Sequence, residues 1–512
     1  MNNARPRLML VTPPYHSGVV EAAGVWMPLS CVYLAGHARA AGAEVRIYDA
    51  MSMFHSHADI AREMADWKPD IVATGAITAM EPDCRELLAT AKRLNPETLT
   101  VLGNVHPTFC WEQILDDDPN VDLVVRGEGE LTIGEIVRAV IAGAADETSW
   151  AKIDGVSYRK GGHPVSAPPR RFTQDLDSLI PAWDLIDWPL YWYRPSPAGR
   201  LAITSSARGC GQRCSFCSQQ KFWERTWRGR DPMKFVQELE HLRDTYNVRV
   251  AMLSDETPTS NPARWSKILD LLIERKTGVE LLMETRVDDI LRDEAIMPRY
   301  KDAGISHVYL GVESTNQSTL NLYNKDIKVA ESKKAIDLVN AQDMVSETSF
   351  VLGTPEETVE SIRKTVELAK WYGPDMAFFL AITPWPYADI TLDEKSGLAS
   401  RVATTDYRKY NLVEPVVKPD AMTIDQMRGE LHRATGHFFH DKFLNLDKLS
   451  TWKRSFMVRV LKLLIEESYL GKEMHHMAKG AEMPDSVKRM LAEIAAEDVR
   501  KGVAPERQVR SA

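Results

Sequence analysis

Arg208-Gly-Cys210-Gly-Gln-Arg-Cys214-Ser-Phe-Cys217 sets three cysteines in a C-x3-C-x2-C spacing within one short loop. Iron-sulfur clusters take soft thiolate ligands, and a cube normally asks for four of them. A cube held by three keeps one iron open to a small molecule. Structural zinc instead needs a closed four-ligand shell, usually built from two ligand pairs. No second pair exists here: Cys31, Cys84 and Cys110 are isolated, and the next histidine, His241, lies beyond a compact loop. The spacing therefore points to a [4Fe-4S] cluster ligated by Cys210, Cys214 and Cys217.

Around this loop the chain alternates between short β-branched runs and helical patterns. Strands are predicted near 201–206, 248–253, 279–284, 307–311, 346–352 and 376–382, the pattern of a (β/α)6 partial TIM barrel. The cysteine loop follows the first of them, and barrel enzymes carry their chemistry on the carboxyl-end face. Asp255, Glu256, Arg286, Glu313, Ser314 and Gly353 follow the later strands. A single charged residue at a strand end is ordinarily just solvated; a shared position at one mouth makes these a candidate site.

A first alternating series precedes the barrel, with strands predicted at 8–12, 44–48, 70–74, 98–102 and 121–125. Five strand-helix units predict a doubly wound parallel sheet, Rossmann-like, which binds ligands at the carboxyl ends of its strands. That rim carries Thr12, Tyr15, His16, Gly75, Thr78, Gly103, Asn104, His106, Arg126, Gly127 and Glu128. No G-x-G-x-x-G follows the first strand, which disfavours a dinucleotide.

The α/β chain is thus expected to divide into a sheet domain over 1–150, a proline- and aromatic-rich connector over 151–200, the partial barrel over 201–395 and a mainly helical region over 396–512. The connector's aromatics are expected to pack between domains. Helices are predicted over 424–440, 452–470 and 484–499. The middle one is basic and amphipathic, so peripheral membrane contact is conceivable, but an apolar stripe at helical spacing is the usual mark of a core-facing helix. His475-His476 reads as surface.

Of 512 residues, 63 are basic and 72 acidic, a net charge of -9, which disfavours a nucleic-acid partner. No signal-peptide core and no apolar run long enough for a transmembrane segment is present, so cytoplasmic residence is expected. Six cysteines, three committed to a cluster, suit a reducing compartment.

The C-x3-C-x-aromatic-C form, with Phe216 in the aromatic slot, resembles the signature of radical S-adenosylmethionine enzymes. The resemblance implies that the open iron chelates S-adenosyl-L-methionine, whose cleavage yields a hydrogen-abstracting 5'-deoxyadenosyl radical. It also implies that the barrel strand ends contact this cofactor, with Arg286 as a carboxylate clamp. A parallel sheet before such a barrel resembles the cobalamin-dependent branch, as do Pro28-Leu-Ser-Cys-Val-Tyr33-Leu-Ala-Gly36 and Arg126-Gly-Glu-Gly-Glu130. A corrin is then expected on the first domain's rim. No Asp-x-His occurs in the chain, so cobalt ligation by that motif is excluded.

Nearly the whole chain to about 425 is similar to the anaerobic magnesium-protoporphyrin IX monomethyl ester oxidative cyclases of bacteriochlorophyll synthesis. The similarity is carried by Tyr15-His-Ser-Gly18, Val124-Val-Arg-Gly-Glu-Gly-Glu130, Cys214-Ser-Phe-Cys-Ser-Gln219, Lys221-Phe-Trp223, Arg230-Asp-Pro232 and Thr383-Pro-Trp-Pro386. The segments Gly18-Val19-Val20 and Gly103-Asn104-Val105-His106-Pro107 depart from that family's pattern. The resemblance implies an oxidoreductase that closes the isocyclic ring of a magnesium porphyrin ester with water-derived oxygen, fed by a low-potential electron donor such as flavodoxin or ferredoxin. Trp223, Trp385 and Tyr387 are candidates for an aromatic substrate wall. The alternatives are a cobalamin-dependent radical methyltransferase, with the same cofactors, and a tRNA methylthiotransferase. The latter is disfavoured because no second cysteine cluster and no basic RNA-binding tail are present. A non-enzymatic cofactor-binding module would leave the series of cofactor contacts without a purpose.

Overall fold

A computed structural model describes residues 5–16, 24–196 and 199–467. The first sheet contains β1 (Arg7–Thr12), β2 (Glu44–Asp49), β3 (Ile71–Gly75), β4 (Leu99–Gly103) and β5 (Leu123–Val125). They run parallel in the order β2-β1-β3-β4-β5. Leu8, Met9, Leu10 and Val11 are all buried because helices cover both faces, as a parallel sheet requires. The order reverses between β1 and β3, which opens a crevice at their carboxyl ends.

One part of the connector is not a connector. β6 (Val156–Lys160) and β7 (His163–Ser166) form a hairpin that adds two antiparallel strands beyond β5. Its turn is Gly161-Gly162, both at positive φ, as a two-residue hairpin turn demands. Farther along, Trp183, Trp188, Tyr191 and Tyr193 are buried in the same core as the barrel, so the aromatics do pack between the domains. The Tyr191 hydroxyl donates to Asp49 at the end of β2 at 2.8 Å, tying connector to sheet.

The second sheet comprises β8 (Arg200–Thr204), β11 (Val248–Leu253), β12 (Glu280–Arg286), β13 (Ile305–Glu313), β14 (Val345–Leu352) and β15 (Met376–Ala381). All six are parallel and ordered by sequence, a partial barrel with helices outside. Between β8 and β11 lies an antiparallel ribbon of β9 (Ala207–Gly209) and β10 (Trp227–Gly229). The two domains meet with the carboxyl ends of both sheets facing a common interior.

Two helices, Ile424–Leu444 and Thr451–Glu467, close the barrel's flank and base. The second, the basic amphipathic one, sends Phe456, Met457, Val460, Leu461 and Leu464 into the barrel core. Its Lys453 is buried and pairs with Asp375 at 2.6 Å. This is a packing helix. The predicted helix 484–499 and His475-His476 lie outside the described residues. No helix among the described residues is long and apolar enough to cross a membrane.

Candidate active site

The cysteine loop begins where β9 ends. Gly209 has φ +95°, and a Cβ there would stand 2.1 Å from the carbonyl oxygen of Thr226, the residue just before the paired strand, so no other residue fits this turn. The loop is then pinned to the barrel. Ser215 N–H donates to the Tyr323 carbonyl at 2.8 Å, Ile390 N–H to the Ser215 carbonyl at 2.9 Å, and Phe216 packs on Tyr323 at 5.0 Å.

All three thiols are free of disulfides. One loop brings the three together without a fourth cysteine or histidine among the described residues to close a zinc shell. Three soft thiol donors on one loop are the ligand type and number that a cube with one open iron takes, so the donor set fits the cluster. Burial raises the Cys214 thiol pKa, opposed by Lys325 and Arg286, and burial pushes Cys217 up to about 12. Cys214 and Cys217 therefore stay thiols until a metal takes them as thiolate ligands.

The strand-end residues gather at this mouth in different states. Asp255 accepts from Ser206 N–H at 2.8 Å and from Ser206 Oγ at 2.5 Å, so both oxygens secure the turn into β9. Glu256 accepts from Gly209 N–H at 3.0 Å and Trp223 Nε1 at 2.5 Å, bracing the cysteine loop. Arg286 stands beside the thiols, its fork on Asp288 at 2.8 and 3.2 Å. Glu313 holds a left-handed backbone, φ +64°, costly for a residue with a Cβ, and its carboxylate meets buried Lys325 at 2.9 Å. Ser314 Oγ accepts from Asn316 N–H at 3.1 Å, and Gly353 N–H donates to Glu357 at 3.3 Å. Lys325, absent from the expected set, is the second cation beside the cluster loop.

Two cavities open from this region. The smaller, about 320 Å3, lies on the first sheet's rim and is lined by Gly75, Gly103, Asn104, Gly127 and Glu128. Cys31, Arg208, Trp223 and Glu256 complete it. The larger, about 650 Å3, runs into the barrel. Its wall is mostly apolar, with Trp26, Phe54, Phe378 and Trp385, and it carries five methionines, Met51, Met80, Met252, Met283 and Met376. Such side chains adapt their shape to a large ligand. Of the expected rim residues Tyr15 lines this cavity, whereas Thr12, His16, Thr78, His106 and Arg126 line neither.

Those five have other partners. Thr12 Oγ1 donates to Asp49 at 2.7 Å, His16 stacks on Phe54 at 4.5 Å, and Arg126 donates to the Ala167 carbonyl at 2.6 Å. His106 is buried, with Nδ1 3.1 Å from Thr78 Oγ1 and its ring edge-on to Tyr387 and Tyr407. Burial, with Arg85 adding to it, lowers the His106 pKa to about 4. Thr78 Oγ1 also meets the Tyr387 hydroxyl at 3.1 Å, so this network joins the sheet domain to the barrel side. Tyr387→Phe is expected to cost about 1 kcal/mol in urea unfolding, since Thr78 keeps His106 as a partner.

The larger cavity holds one signal that spacing did not single out. Glu284, Tyr309 and Glu347 are register neighbours on β12, β13 and β14 and all face the cavity. Glu347 pairs with His307 Nε2 at 2.8 Å, and His307 Nδ1 with the Tyr193 hydroxyl at 3.0 Å. Glu284 has no hydrogen-bond donor among the described residues. Burial first, then the charges of Glu347, Glu256 and Glu313, raise its pKa from 4.5 to about 7. Its signal was a charge inside the run Leu281-Leu-Met-Glu-Thr, where a buried parallel strand reads apolar. In protein without substrate, a carboxylic-acid infrared band should vanish as pH rises through about 7 and be absent in Glu284→Gln. Because the folded pKa is the higher one, this group makes stability fall as pH rises from about 4.5 to about 7.

Between the domains, Glu128 accepts from Arg208 at 2.8 Å and from both terminal nitrogens of Arg228 at 3.0 Å, while Arg208 also reaches Glu130 at 2.7 Å. Glu128 thus bridges sheet domain and barrel as well as lining the smaller cavity.

Residues 15–137 match the B12 binding domain and residues 204–369 the radical SAM superfamily. The fold is similar to that of the cobalamin-dependent S-adenosylmethionine radical enzyme OxsB, with a TM-score of 0.64 over 98% of this chain and 82% of that one, at 15% identity. Fold and site together define a cobalamin-binding radical S-adenosylmethionine enzyme, with a [4Fe-4S] cluster, S-adenosyl-L-methionine and cobalamin as its cofactors. Over 91% of its length the chain is 37% identical to the anaerobic magnesium-protoporphyrin IX monomethyl ester cyclase of Rubrivivax gelatinosus, covering 83% of that protein. It is 39% identical to the Cereibacter sphaeroides cyclase over 83% of this chain and 68% of that one. The chain belongs to the family of anaerobic magnesium-protoporphyrin IX monomethyl ester cyclases.

Proposed function

We propose that this protein closes the isocyclic ring of magnesium-protoporphyrin IX monomethyl ester, a six-electron oxidation that takes its oxygen from water. The observation that carries this reading is the 650 Å3 cavity, largely apolar and set between the barrel interior and the sheet domain. That volume falls in the range of sites that enclose a whole small molecule.

Cys210, Cys214 and Cys217 hold the cluster, and Arg286, Glu313, Ser314 and Gly353 surround S-adenosyl-L-methionine at the same mouth. Gly75, Gly103, Asn104 and Gly127 let the corrinoid approach the backbone of the rim. His106 is buried, engaged by Thr78 and enclosed by tyrosines, so this reading leaves it out of the corrinoid's contacts. When bound, these groups supply a hydrogen-abstracting radical and one-electron chemistry. The chain's own part is positional: the methionine and aromatic wall orients the macrocycle and keeps bulk water from the reacting side chain. A low-potential donor of the flavodoxin or ferredoxin kind delivers electrons, and the enzyme works in the cytoplasm.

The test is anaerobic reconstitution with iron, sulfide and cobalamin, addition of S-adenosyl-L-methionine, reductant and the magnesium porphyrin ester, and mass spectrometry of the product. A product carrying oxygen from labelled water supports cyclisation. One heavier by a methyl group makes the protein a methyltransferase instead.

A further inference from the structure

The larger cavity has a mostly apolar wall, yet two carboxylates, Glu284 and Glu347, face it, and Glu284 has no hydrogen-bonding partner among the described residues. An unpartnered polar group in such surroundings costs free energy, so its retention calls for a ligand that repays it. The other polar side chains of the wall are engaged within the protein. Glu347 Oε2 lies 2.8 Å from His307 Nε2, and the Tyr193 hydroxyl meets His307 Nδ1 at 3.0 Å. Tyr309 is bonded to Ser349, and Asn411 Oδ1 accepts from Val413 N–H at 3.0 Å and Glu414 N–H at 2.8 Å. Tyr410 donates to the Thr404 carbonyl at 3.0 Å. Among the described residues of the wall, Glu284 is the carboxylate left without a hydrogen-bonding partner, open to whatever fills the cavity.

The charges around it sharpen the point. Glu347 from β14, Glu313 from the end of β13 and Glu256 beyond β11 all act on this carboxyl, while Arg286, two residues along β12 on the same face, is engaged by Asp288, and Lys325 by Glu313. The group stands in a negative, enclosed field that an incoming cation would relieve. Magnesium is a hard cation that takes oxygen ligands, and in a porphyrin its four nitrogen ligands leave the axial direction open.

Resting on the proposed substrate, we infer that the Glu284 carboxylate is the axial oxygen ligand to the substrate's magnesium, fixing the macrocycle's height and tilt in the cavity. Glu347, beside His307 and one strand beyond Tyr309, supports the field without ligating. The cavity accordingly selects the metallated macrocycle over the metal-free one.

Binding without turnover tests this. The full chain is titrated anaerobically, without S-adenosyl-L-methionine, with magnesium-protoporphyrin IX monomethyl ester and separately with the metal-free ester, and bound porphyrin is read from its absorption and emission. Wild type is expected to prefer the magnesium form by about tenfold or more, equivalent to about 1.4 kcal/mol. Glu284→Leu should lose that preference while binding the metal-free ester no more weakly, which also shows that the variant is folded. Glu347→Gln should keep the preference. Equal affinities in wild type, or a preference that survives in Glu284→Leu, overturn the inference while leaving the porphyrin substrate standing. Failure of wild type to bind either macrocycle removes the substrate reading itself, and the inference with it.

Discussion

Replacing Cys214 with alanine is expected to strip the iron-sulfur absorption from anaerobically reconstituted protein and to cut turnover by more than about a hundredfold. Loss of a mere hydrogen-bond partner around a metal ligand already costs about 10–100-fold. Here a ligand itself goes, from a set of three with no described fourth cysteine near the loop. The loop's backbone is held independently, by Gly209 against Thr226 and by Ser215 between Tyr323 and Ile390, so the fold should survive. Cys84→Ala is the control. That thiol is fully buried in the sheet domain, and its loss should leave the cluster spectrum unchanged. A Cys214→Ala protein that kept both spectrum and turnover would remove the basis for the site.

Glu128→Gln should destabilise the protein by about 3–5 kcal/mol in urea unfolding, because removing one member of a buried charge network leaves the others uncompensated. The side chains of Glu128, Arg208 and Arg228 are all largely buried. Burial alone would raise the Glu128 pKa, but Arg228 and Arg208 outweigh it and hold the carboxyl below its ordinary range. The sign follows. Its contribution is complete above the ordinary carboxylate pKa and is lost as pH falls through the depressed folded value. By contrast, the Arg39–Asp184 pair is exposed, and Asp184→Asn should change stability by less than about 1 kcal/mol. Similar losses in both variants would mean that the interdomain network is no more than a surface contact.

Much of this was legible in the chain, and what was not has a common cause. The two strand series and the cysteine ligands show in spacing along the backbone. The β6–β7 hairpin was not anticipated because a proline-rich, aromatic stretch resembles a connector, although Gly161-Gly162 marks its turn. Thr12, Thr78, His106 and Arg126 stand on the expected rim, yet their side chains turn into packing and hydrogen bonds away from both cavities. Lys325 and Glu284 were not singled out because neither sits in a recognisable pattern, and their neighbours come from other strands.

By itself, the amino-acid order determined that three thiols share one loop, that this loop follows a barrel strand, and that a parallel sheet precedes it. Those features depend on distances of a few residues and on hydrophobic period. Only the folded chain decided which carboxylates are engaged and which is free: Glu128 between two arginines, Asp255 on Ser206, Glu284 without a hydrogen-bonding partner among the described residues of a mostly apolar wall. A side chain's availability depends on partners that lie tens or hundreds of residues away, and folding is what brings them within hydrogen-bond reach.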